Sequence, residues 1–165
     1  MNANFFPRFF VLLGQVAAIA ILQAVVGCNS LFKDGRAAQE FETARQLLIQ
    51  GQFGLAASQL ESFIERRPQH QLASRAHFLR AKCSLGSGDL ELARQWFDRT
   101  RPQFPSTEEA HKSQFKLALI EVLQGRFEKA DQQFRQLAEQ ADGPYTPESV
   151  ALSRFLAERV LPDAP

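Results

Sequence analysis

At 165 residues the chain is long enough for one domain and a targeting segment. Apolar residues make up 45% and charged residues 22%, a globular balance too apolar for a disordered chain. Nineteen basic residues against 18 acidic ones leave a formal charge of +1, which argues against nucleic-acid binding by unopposed Lys and Arg; two cysteines exclude a disulfide scaffold or a four-thiolate zinc site.

The amino-terminal stretch carries one charge, Arg8, followed by nineteen mostly apolar residues from Phe9 to Gly27. A basic start, an apolar run and a small-residue exit form the pattern of a secretory signal over residues 1–27. The same length could span a bilayer as an uncleaved anchor, a reading that Gln15 and Gln23 weaken. At the exit, Val25-Val26-Gly27-Cys28 resembles a bacterial lipobox. That resemblance implies cleavage before Cys28, diacylglycerol on its thiol and acylation of the new amine, so two or three chains would hold the protein stably on a membrane. The competing role for Cys28 is a buried or disulfide-bonded thiol. Asn29 stands where some bacteria place an inner-membrane retention aspartate, which points to the outer membrane rather than the inner. Without residues 1–27 the chain keeps 18 basic and 18 acidic residues and is neutral. Residues 28–36, CNSLFKDGR, read as a short tether.

From residue 37 the sequence repeats with an offset of 37. Phe41, Phe78 and Phe115 coincide, then Ala44, Ala81 and Ala118, Gly51, Gly88 and Gly125, and Ala56, Ala93 and Ala130. Phe41, Ala44 and Leu48 share one face of a first helix; Ala56, Leu60 and Phe63 share one face of a second. The glycine ends the first helix, and Pro68 or Pro105 marks the exit of the second. Each copy therefore predicts a helix–turn–helix with small alanines where two helices approach.

The spacing Gly88-x-Leu90-x2-Ala93-x3-Phe97, with its counterparts from Gly51 and Gly125, resembles the tetratricopeptide repeat. The match departs in its period, which is about 34 in that family, and in Glu40, His77 and Gln114 where the family has tryptophan. The aromatic one place later and the P-x4-A junctions look more like the variant of bacterial envelope lipoproteins. The expected fold is all-α: a right-handed α-solenoid of three tetratricopeptide-like repeats (37–70, 74–107 and 111–144) plus a capping helix and tail at 145–165. Val150, Leu152, Phe155, Leu156 and Val160 are expected to cover the open end of the third repeat.

No enzyme constellation is present. His70, His77 and His111 lack the i, i+4 spacing of two ligands on one helix face, and there is no G-x-S-x-G elbow or phosphate loop. The expectation is a non-enzyme with no metal and no cofactor beyond the lipid on Cys28. Cys83 reads as a buried apolar thiol, with a Cys28–Cys83 disulfide as the alternative should Cys28 not be lipidated.

Charge offers the binding hypothesis. Residues 66–101 carry eight basic residues against Asp89, Glu91 and Asp98, a balance of +5 in a neutral chain. The first-helix positions that line the groove of the resembled family fall here on Phe41 and Arg45, then Arg75, Phe78 and Lys82, then Lys112, Phe115 and Leu119. Such a ladder would hold an extended or helical peptide bearing carboxylates; alternatively the phenylalanines pack between helices. The function implied is a protein-interaction scaffold within an envelope complex, lipid-anchored and facing the periplasm, similar to repeat lipoproteins of outer-membrane assembly and pilus biogenesis. Its partners are proteins and the membrane, not nucleic acid. The alternatives are a regulatory subunit of an envelope enzyme, and a small-ligand or glycan-binding protein, which the separation of Trp96 and Tyr145 disfavours.

Overall fold

A computed structural model describes residues 35–140 and 145–161. The expected signal, Cys28, the tether up to residue 34 and the last four residues lie outside the described part. The chain divides into two compact units, Met1–Gln39 and Glu40–Pro165. The first enters the description only as residues 35–39, which open a helix.

Among the described residues there are seven helices and no strand. They are α1 (35–49), α2 (Phe53–Arg66), α3 (Ala73–Gly86), α4 (Leu90–Gln103), α5 (Glu108–Leu123), α6 (Phe127–Ala138) and α7 (Thr146–Arg159). From α2 onward each helix packs on the next, and α3 also reaches α5, so first helices neighbour first helices. This is an all-α, tetratricopeptide-like solenoid of three hairpins closed by a seventh helix.

The hairpin turns share one mechanism. Gly51, Gly88 and Gly125 take φ of 75°, 82° and 70°, the left-handed region that side chains resist. Each lets the next amide fold back across the helix end: Gln52 N–H donates to Leu47 at 2.9 Å, Asp89 to Ser84 at 2.9 Å and Arg126 to Glu121 at 2.9 Å. Orphan carbonyls of the first helix are thereby satisfied. Second helices exit where proline follows: α2 ends two residues before Pro68, and α4 two before Pro105. The next hairpin starts on Thr107, whose hydroxyl accepts from Ala110 N–H at 3.3 Å and caps α5.

Both alanine columns are buried: Ala44, Ala81 and Ala118 on first helices, Ala56, Ala93 and Ala130 on second ones. Their small size lets the backbones approach, and the larger Leu60, Phe97 and Phe134 fill the space one turn further along, all with no exposed surface. At the carboxyl end, Leu156 is buried against Phe134 and Leu137, and Leu152 and Val160 pack on the same cluster. Val150 and Phe155 do not join them. They are 41% and 55% exposed, because residues 152, 156 and 160 already occupy the stripe that faces α6.

Candidate interaction surface

Positions spaced i, i+4, i+7 and i+11 fall on one stripe of a helix. On α3 the stripe holding the expected basic residues is Arg75, Leu79, Lys82 and Gly86; on α5 it is Lys112, Lys116, Leu119 and Leu123. On α1 it includes Glu42, Arg45 and Ile49.

The charges on these stripes differ in how far they are spent. Arg45 is closed onto Glu42 at 2.6 Å, and its hydrogen bonds hold the Glu42 carboxyl down at about 2. Lys112 is engaged by Glu108 at 2.7 Å. Arg75 is exposed and its Nε lies 3.4 Å from Glu109. Lys82 is exposed and has no carboxylate partner among the described residues. Lys116 is half-buried and faces the charge of Lys82; burial first, then that like charge, pushes its ammonium below the ordinary lysine range. Repeat alignment missed Lys116, since its column holds Glu42 and Leu79. Its spacing of four from Lys112 was the available signal.

The expected phenylalanine ladder does not line an open groove. Phe41 and Phe115 are buried and Phe78 is half-buried. Each ring packs on the second helix of its own hairpin: Phe41 on Phe63 with centroids 6.0 Å apart, Phe78 on Phe97 at 5.5 Å, Phe115 on Phe134 at 5.7 Å. Tyr145 stacks on Phe115 at 4.7 Å and closes its remaining side. Packing and display compete for the same face, and burial of a large ring wins by roughly 1.5–3 kcal/mol. Leu119 is half-buried against the same cluster, whereas Leu123 and Ile49 stand 64% and 62% exposed.

Most of the basic belt is internally matched. Arg67 and Arg66 share Glu40, at 2.6 and 3.0 Å, and the bond from Arg67 leads in lowering that carboxyl against the opposing effect of burial. Arg80 holds Glu61 at 2.6 Å. Arg94 reaches the fully buried Glu121 at 2.5 Å, where Arg126 and Lys129 also converge. Burial would raise the Glu121 carboxyl; the bonds from Arg94, Arg126 and Lys129 outweigh it and hold it at about 2. Within the belt this leaves Lys82 of α3 and Arg99 and Arg101 of α4 without a carboxylate among the described residues, and of these Lys82 is the one on a first helix, where α3 meets α5.

Cys83 is a free, buried thiol, and burial pushes it up to about 11, far from the thiolate that nucleophilic or metal chemistry needs. Among the described residues no three His, Cys, Asp or Glu side chains cluster as metal ligands, and no helix is long and apolar enough to cross a membrane.

A family model described as tetratricopeptide repeat matches residues 41–107, from α1 through the cap of α5. Repeats of that kind generally mediate protein–protein interactions and are typically non-catalytic. No curated protein matches the chain.

Proposed function

We propose that this chain is a non-catalytic interaction scaffold, lipid-anchored at Cys28 in a bacterial cell envelope, that holds a partner protein on the face built by its first helices. The observation that carries the binding part is the like charge of Lys82 on the exposed side of α3 and half-buried Lys116 on the adjoining α5, neither with a carboxylate partner among the described residues, with exposed Leu123 two turns further along the α5 stripe. An acidic segment with apolar residues two helical turns away would relieve the repulsion and cover the leucine. The lipobox-like Val25-Val26-Gly27-Cys28 supports the anchor, and Asn29 favours an outer-membrane position facing the periplasm.

Two variants test the two halves. Reversing Arg75→Glu together with Lys82→Glu should cut partner capture from detergent-solubilised envelopes by tenfold or more at low salt and leave helicity intact, because both side chains are exposed. Cys28→Ala should abolish incorporation of labelled fatty acid and release the protein from the membrane fraction. Undiminished capture sinks the first-helix face; undiminished acylation sinks the anchor.

A further inference from the structure

The two junctions between hairpins are built from the same repeat positions and filled differently. At the first, Trp96 of α4 closes the space over α3. Arg80 and Arg99 lie against its ring at 5.1 and 5.3 Å, and His77 packs on it at 5.5 Å. His77 in turn meets Phe104 at 5.3 Å. Thirty-seven residues on, the same positions hold Gln133 for Trp96, Leu117 for Arg80, Gln136 for Arg99 and Gln114 for His77. A glutamine does not fill the volume of an indole. Between α4 and α6, over α5, there is accordingly a cleft of about 200 Å³ with Gln114 and Leu117 at its base, Asp98 and Arg101 on one wall and Gln133 and Gln136 on the other. It runs into a second cleft of about 440 Å³, which shares Asp98, Arg101 and Gln114.

Three properties of this cleft define what it takes. Its size suits one ring system, since a cavity of about 150 Å³ already admits benzene. Gln133 lines the cleft while its Oε1 is turned out of reach of solvent with no hydrogen-bond partner, an acceptor whose desolvation nothing offsets until the amide turns to a donor. Arg101 has no carboxylate partner among the described residues, leaving its guanidinium free to lie against a ring as Arg99 does against Trp96. A donor-bearing aromatic group satisfies all three at once.

We infer that the α4–α6 cleft is a docking slot for an aromatic side chain with a polar hydrogen, a tryptophan or tyrosine presented by a partner protein, which takes the place that Trp96 fills at the preceding junction. The ring lies on Leu117, a turn of the Gln133 amide brings its unpaired Oε1 into the cleft to accept from the indole N–H or phenol O–H, and Arg101 covers the exposed face. The slot rests on the protein-binding reading only for the source of the ring, and it is separate from the Lys82–Lys116 face.

The test uses the ¹⁵N-labelled full chain and free probes, so its outcome is independent of partner capture by the first-helix face. N-acetyl-tryptophanamide should move the side-chain amide signals of Gln133 and Gln114 saturably, and bind about fivefold tighter than N-acetyl-phenylalaninamide, which has no ring donor. Gln133→Leu, which removes the acceptor at similar size, should bring both probes to the same affinity. Gln133→Trp, which restores the periodic residue, should abolish binding while keeping the helical spectrum. The inference is overturned by the absence of a saturable shift, by equal affinity of the two amides for the unaltered chain, or by a response to chitobiose at these residues in place of the aromatic probe.

Discussion

Glu121 and Arg94 join two hairpins through a carboxylate that has no exposed surface and a guanidinium 2.5 Å from it. Comparable clasps occur at the other two joints. Arg80 of α3 holds Glu61 of α2 at 2.6 Å, and Ser153 of α7 donates to Asp131 of α6 at 2.6 Å. Arg94 and Asp131 occupy the same repeat position, so consecutive second helices each reach the following first helix from one place. Apolar contact alone is non-directional; these paired polar groups set which angle between hairpins is satisfied.

Removing the Glu121 charge should be costly because three cations would be left around a neutral group. Glu121→Gln is expected to destabilise the fold by about 3–5 kcal/mol, read from the denaturant midpoint. Glu42→Gln, at an exposed pair within one helix, should leave the midpoint unchanged. A Glu121→Gln midpoint equal to that of the unaltered chain would show that the clasp is ornamental.

Two acid transitions follow from the buried groups. Burial first, then the charge of Arg99, lowers His77, so the unfolded chain takes up a proton that the folded one resists. Stability should therefore fall as pH drops through the ordinary histidine value of 6.5, and His77→Gln should flatten that slope. Glu121 is lowered from 4.5 to about 2, so its contribution is complete above pH 4.5 and is lost toward pH 2. Denaturant titrations between pH 8 and 2, with each variant beside the parent, separate the two windows.

The phenylalanine ladder is a core element, and its variants should behave accordingly. Phe115→Ala is expected to cost about 3–5 kcal/mol through the cavity it opens between Phe134 and Tyr145. A Phe115→Ala protein with parental melting behaviour and reduced partner capture would return this ring to the binding surface.

The turn glycines offer a local test. At Gly88, φ of 82° with open space around the missing Cβ means that only backbone strain opposes a side chain. Gly88→Ala should cost about 1–2 kcal/mol by thermal melting. Gly86→Ala differs, because its Cβ would sit 2.5 Å from the Phe53 ring and must displace it.

The hairpins were legible because glycine and alanine columns answer to local rules, a left-handed turn and a close helix approach. The groove was not, and Phe41 shows why. Its spacing to Ala44 and Leu48 marks a single apolar face, and that face was needed for packing on Phe63. Phe155 failed in the opposite direction: apolar and on a capping helix, it lies off the stripe that Leu152, Leu156 and Val160 bury. Lys116 and the cleft at Gln133 emerge only when α3 is set beside α5 and α4 beside α6, since each depends on neighbours more than thirty residues away in sequence.

The central claim is that a partner docks where α3 meets α5. Photo-crosslinking in intact cells, with the reactive side chain at Lys82 and a control at exposed Ser58 on α2, tests it most directly. A discrete protein adduct at Lys82 and none at Ser58 is the predicted result. An adduct at Ser58 with none at Lys82 would contradict the account and move the interface to the second helices.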